Sequence, residues 1–341
     1  MLLKAVFYIF TIILFLLPFN KSIGQGCCSG GTGSPIAGGA SQGVLQANQM
    51  ELSAAYQYLF SDKFKTLGRD TSKLFDKIYS NYLYGRLGYG LTEKLTLSVE
   101  AGYFINKTQI ELNKVDTIHS AGFGDLIIFP RYQLFNKKTA DHRTEMVVGL
   151  GCKIPIGKYN DSTLVYTNPT NGKEYFAPLP PTIQPTTGSL DFVFYGFVLH
   201  DFTKRKFKLF SNLLYIKKGW NPLGQKFGDY MVLGLFASRT VFNKLGLNLQ
   251  LKAEHIAKMK AAKNIDMVAL YNVYTESTGS TKLFIVPQVS FSQNNFTYFL
   301  LSEFPLYQYV NGTQVVSQIQ ATAGISYRFF TKQPSCEVQI N

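Results

Sequence analysis

The chain has 341 residues and a formal charge of +13, yet only 16% of it is charged while 46% is hydrophobic and 15% aromatic. The basic residues form no Lys/Arg block, which suits loops facing anionic lipopolysaccharide or solvent and gives no reason to expect nucleic acid as a partner. Beyond Phe19 no apolar run approaches the roughly 20 residues of a spanning helix, so any membrane crossing falls to strands.

At the N-terminus, Lys4 precedes an apolar run from Ala5 to Phe19 that is too short to span a bilayer. Ser22-Ile23-Gly24 then supplies the small-x-small pattern of a cleavage site, so residues 1–24 are expected to be a signal peptide. Gly24-Gln25-Gly26 places no apolar residue three positions before Cys27, which argues against a lipoprotein. Residues 25–48 carry Gly, Ser and Pro without periodicity and are expected to be irregular, either hanging in the periplasm or folding into a lumen as a partial plug. Cys27, Cys28, Cys152 and Cys336 match no zinc or haem spacing, and no metal or other cofactor is expected. A Cys28–Cys336 bridge in an oxidising periplasm stands open beside free or intermolecular thiols.

From residue 49 the chain alternates with period two. Met50, Leu52, Ala54, Tyr56, Tyr58 and Phe60 share one face, and Glu51, Ser53, Ala55 and Gln57 the other. Runs bounded by turn residues give twelve expected strands: 49–60, 78–91, 95–104, 125–135, 145–156, 188–199, 206–216, 229–240, 245–255, 282–293, 296–307 and 317–329. Links after even strands are short (92–94, 136–144, 200–205, 241–244, 294–295). Links after odd strands are longer (61–77, 105–124, 157–187, 217–228, 256–281, 308–316). Short periplasmic turns alternating with long outer loops, and an even strand count, define an all-β, twelve-stranded antiparallel transmembrane barrel of the bacterial outer membrane over 49–329, with a periplasmic tail at 330–341. Thr322-Ala323-Gly324-Ile325-Ser326-Tyr327-Arg328-Phe329 resembles the signal read by the outer-membrane insertion machinery, a partner during assembly.

An ordered set of segments carries a family resemblance: GFGDLIIFPRYQLF (Gly122–Phe135), GLGCKIPIGKY (Gly149–Tyr159), QPTTGSLD (Gln184–Asp191), STGSTKLFIVPQVSF (Ser277–Phe291), FPLYQYVNGTQV (Phe304–Val315) and the closing GISYRF. Together they resemble the outer-membrane transporters grouped as the MetA-pathway of phenol degradation family, relatives in style of the FadL-type hydrophobic-compound channels. Cys152 and the Cys27-Cys28 leader depart from that pattern. The resemblance implies a barrel that passes small hydrophobic or aromatic molecules and supplies no catalytic residues.

Chemistry is sparse. Gly30-Gly31-Thr32-Gly33 and Gly149-Leu150-Gly151 lack the Lys-Ser/Thr of a phosphate loop and read as packing glycines. The four histidines, His119, His142, His200 and His255, show no spacing that pairs one with a nucleophilic serine, although Ser120 adjoins His119, so no enzyme is expected. The lumen offers the candidates. Glu51, Arg86, Glu100, Arg131, Glu145, Lys153 and Arg328 read as inward-facing brace or selectivity groups, alongside Asp191, Lys252, Glu254 and Glu303. Ile127, Phe129, Phe135, Phe284, Val286, Phe299 and Leu301 read as apolar lumen positions, which a water-filled porin does not need and a conduit for hydrophobic solutes does.

A three-residue turn at Thr92-Glu93-Lys94 should pair Arg86 with Glu100, and Arg131 is expected at the same depth, placing Glu100 between two arginines. Glu51 and Arg328 should meet where the barrel closes. Two functions remain open: a channel for a small-molecule solute, or a non-transporting barrel serving structure or a complex at the surface or in the periplasm.

Overall fold

A computed structural model describes residues 43–271 and 273–332; the expected signal peptide, most of the leader, and Cys27, Cys28 and Cys336, with the question of a Cys28–Cys336 bridge, lie outside them. Twelve antiparallel strands form the wall: β1 Gln49–Ser61, β2 Lys77–Gly90, β3 Leu95–Ile110, β4 Asp125–Lys138, β5 His142–Pro155 and β6 Asp191–Phe202, then β7 Phe207–Lys217, β8 Tyr230–Val241, β9 Leu245–Ile256, β10 Ser280–Gln293, β11 Phe296–Val310 and β12 Ile319–Phe330. Each pairs with its sequence neighbours, and β1 pairs with β12 from Gln49↔Phe330 to Phe60↔Ile319, which closes the ring. Closure gives each of the twelve wall strands a partner on both sides, the condition for putting a sheet into hydrocarbon.

The short links (91–94, 139–141, 203–206, 242–244 and 294–295) lie with both barrel ends at one mouth, here the turn end. The longer links lie at the other, the loop end. Two boundaries differ notably from the sequence reading. β3 continues to Ile110 because its far half builds a hairpin with Thr117–Phe123. The link expected at 136–144 shrinks to 139–141 because Lys137 and Lys138 still pair with Thr144 and Arg143.

Alternation sorts the wall into two surfaces. Outward residues such as Leu150 (62% exposed), Leu300 (58%), Phe192 (53%) and Leu235 (50%) form an apolar belt that water would not tolerate and lipid would. Inward residues are almost all buried. Phe135 is the exception to the expected faces: the register shifts between Gln133 and Phe135, so Leu134 and Phe135 both point outward and Phe135 is 43% exposed. One extra residue in a strand reverses the face of every later residue in that strand.

Two motif glycines serve packing. A Cβ on Gly149 would lie 2.8 Å from the Phe129 ring, and one on Gly324, in the C-terminal signal, would overlap the ring of Phe299. Each glycine is the hole into which an inward aromatic ring fits.

Candidate functional site

The interior carries an apolar lining and an ionic one, in part on the same strands. Across β4–β8, Ile127, Phe129, Val147, Val193, Tyr195 and Phe197 pack with Leu199, Leu214, Ile216 and Val232 into one apolar surface. Smaller apolar patches join Phe284, Val286 and Leu301, and Phe299 with Ala55 and Tyr84. Ile127, Phe129, Phe284, Val286, Phe299 and Leu301 are thus all inward and buried, but they fall into three separate patches. Most of the apolar wall escapes the sequence reading. Its signal is present in β6, where Phe192, Phe194 and Val198 face out and Val193, Tyr195 and Phe197 face in, a strand apolar on both faces.

Among the described residues, most of the inward ionic candidates gather in four nodes. At the seam, Arg86 Nη2 donates to Glu51 Oε1 at 2.6 Å and Arg328 Nε donates to Glu51 Oε2. The register sets Glu51 opposite Arg328, as closure expects, and Arg86 opposite Glu100, as turn counting expects. The carboxylate held between two arginines is nevertheless Glu51. Glu100 Oε1 lies 3.8 Å from Arg86 Nη1.

Arg131 is not level with Glu100: Glu100 faces Ile127, and Arg131 faces Thr96, nearer the turn end. A register fixed by the β3–β4 link, not by equal residue counts, puts it there, and its Nη2 donates to Ser98 Oγ at 3.1 Å. Among the described residues Glu100 Oε2 and Arg86 Nε are buried without hydrogen-bond partners, an acceptor and a donor on cross-strand neighbours where a water or a solute hydroxyl would be held.

In the second node Glu145 accepts from Gln133 Nε2 and Arg143 Nη2, both at 2.9 Å. The third joins Lys252 to Glu303 at 2.5 Å and to Glu254 at 3.6 Å, with Gln320 donating to Glu303. The fourth, at the loop end, centres on fully buried Asp191, which receives Lys153 Nζ (3.2 Å), Lys218 Nζ (2.9 Å), Ser189 Oγ (2.7 Å) and the Gly219 amide (3.1 Å). Lys153 also pairs with Asp125 at 2.5 Å.

Both mouths are crossed by chain. At the loop end the link after β5 folds inward. Leu179 and Ile183 bury against Ile118 and Ile78, Lys107 Nζ donates to the Gln184 carbonyl at 2.8 Å, and Asn221 Nδ2 donates to the Thr187 carbonyl at 3.0 Å. Contacts to β2 and β3 on one side and to the link after β7 on the other mean that this lid crosses the opening. From sequence it reads as an outer loop; its apolar Leu179-Pro180-Pro181 is the available signal.

At the turn end the described part of the leader has no regular structure and enters the barrel. The Leu45 amide donates to Thr96 Oγ1 at 2.7 Å, Val44 packs on the apolar wall, and Gly43 lies so close to Glu145 that a Cβ there would be 2.9 Å from Oε1. This segment crosses from β3 to β5.

Among the described residues no histidine meets a serine hydroxyl. Thr144 Oγ1 partners His200 Nδ1, Thr281 Oγ1 partners His255 Nδ1, and Ser120 Oγ donates to Asp161 Oδ2. The arrangement offers binding surfaces and charge, without a nucleophile paired to a base.

This is a closed twelve-stranded barrel of the outer-membrane type. Its fold is similar to that of the COG4313 outer membrane channel from Pseudomonas putida F1, at TM-score 0.62 and 13% identity over 85% of this chain and 98% of that one. The TodX deltaS2S3 mutant monoaromatic hydrocarbon channel aligns at TM-score 0.40 and 9% identity (89% and 98% covered), and the KdgM porin at 0.38 and 8% (81% and 99%). No family model matches the sequence, and no curated protein does.

Proposed function

We propose that the chain is an outer-membrane channel, gated at both mouths, for small molecules with an apolar or aromatic body and a polar or charged group. The mixed lining of the lumen carries this reading: an apolar surface runs across β4–β8, ionic nodes line β12–β3 and β9–β11, and further ionic groups on β4–β6 flank the apolar surface toward the two mouths at Glu145 and Asp191. A solute with only one kind of surface would leave part of this lining poorly solvated. The apolar exterior supports the outer-membrane setting, and the ordered motifs that resemble the MetA-pathway of phenol degradation family favour the same solute class.

A second reading, a barrel that does not transport, is favoured by one observation: leader and lid both cross the mouths, and the side chains between them are buried. Liposome swelling separates the two. The full chain should admit neutral sugars slowly and small aromatic carboxylates measurably faster; an absence of uptake for every solute would favour the non-transporting barrel. Asp191→Asn removes the charge at the root of the lid and should speed sugar uptake, because Lys218 loses its acidic partner while Lys153 keeps Asp125. Arg131→Ala should move the reversal potential in a salt gradient away from anion preference with the barrel still folded. Unchanged selectivity with lowered thermal stability would leave Arg131 a brace.

A further inference from the structure

The basic charge that is scattered along the sequence is gathered by the fold. Lys137 and Lys138 at the end of β4, Lys204, Arg205 and Lys206 on the next turn and Lys244 on the one after crowd together at the turn end, between β4 and β9, with Asp141 and Asp201 as nearby acids. Lys137, Lys138 and Arg205 are exposed and form no ion pair among the described residues; Lys204 pairs with Asp141 at 2.5 Å, and Lys206 donates to Asn243 at 2.8 Å. The remaining turns, 91–94 and 294–295, hold only Glu93 and Lys94 as charged residues.

Directly beneath this crown, on the outward face, the registers align one row across five strands: His142, Phe202, Phe207, Arg239 and Leu247. His200 packs beside it, its ring 5.3 Å from His142 and 4.6 Å from Phe202, and Phe242 at a turn tip is 76% exposed. Toward the loop end the row runs into the apolar belt through Met146, Val198, Leu209 and Leu235. Apolar belt, then aromatic and imidazole rings, then cations is the order met on moving from hydrocarbon through the interface to an anionic headgroup layer. A soluble acidic protein would account for the crown but not for the aromatic row continuous with the belt.

We propose that this sector binds the phosphate headgroups of anionic phospholipid in the leaflet on the turn side. The inference rests on the outer-membrane placement of the proposed channel. The test uses the full chain in phosphatidylcholine bilayers, with spin-labelled phosphatidylglycerol or phosphatidylcholine as the probe lipid. Phosphatidylglycerol should associate about fivefold more strongly at low salt, a preference that shrinks as salt rises. Glutamine at Lys137, Lys138, Lys204, Arg205 and Lys206 together should abolish the preference, and Arg at the four lysines should keep it. Heat-modified gel mobility shows that each variant is folded. Equal association of the two lipids, a preference that survives the glutamine variant, or full displacement by excess inorganic phosphate would overturn the proposal and leave the crown to an acidic protein or a free anion. A chain that enters no bilayer would overturn the membrane reading as well.

Discussion

Evicting the leader from the turn-end mouth is expected to raise single-channel conductance severalfold in a barrel that remains folded. Twelve strands enclose an interior wider than wall side chains alone fill, and Val44 and Leu45 occupy part of it. Their hold is modest. Burying Leu45 contributes about 2 kcal/mol, Val44 somewhat less, and the Leu45 amide bond to Thr96 about 1 kcal/mol. Val44→Asp with Leu45→Asp reverses the apolar contribution and should release the segment.

Gly90→Leu offers an independent route. A Cβ at that position would overlap the Gln46 carbonyl oxygen, so leader and side chain cannot share the site. Both variants should conduct alike in planar bilayers. Unchanged conductance in both, with folding intact, would mean that the leader is no barrier. If only the combination with Asp191→Asn conducts, the lid closes the pore by itself.

The wall was legible because period-two alternation and the loop-length pattern are local, and each strand's partner is its sequence neighbour. The pairing of Arg86 with Glu100 followed from a three-residue turn, and that of Glu51 with Arg328 from closure. Legibility failed where distance along the chain stopped indicating position. A register shift near Gln133 turned Phe135 outward, and the β3–β4 link set Arg131 against Thr96. The lid and the leader have no period at all; their inward course is set by contacts to strands far away in sequence, such as Lys107 to Gln184 and Leu45 to Thr96. The basic crown was invisible for the same reason, since its residues lie at a strand end and on two turns that only the barrel brings side by side.

Glu51→Ala is expected to cost about 3–5 kcal/mol in reversible denaturant unfolding of the reconstituted barrel. The Glu51 side chain is 1% exposed, Arg86 7% and Arg328 19%, so removing the carboxylate takes the shared anion away from two guanidinium groups in a poorly solvated interior. Glu100 offers little compensation at 3.8 Å from Arg86. Because Glu51 and Arg328 lie on the first and last strands, the loss falls on the seam that closes the ring.

Ser53→Ala is the matched control: Ser53 stands two residues along the same inner face, its Oγ has no hydrogen-bond partner among the described residues, and the change should stay within about 0.5 kcal/mol. A loss for Glu51→Ala no larger than that of the control would show that the seam does not depend on this triad. The triple variant with Met at Glu51, Arg86 and Arg328 then separates brace from selectivity. An apolar replacement of similar volume can restore stability that a single deletion loses. A triple variant that unfolds like the parent yet has lost its ion preference assigns the charges to the solute; one that keeps the preference assigns them to the wall.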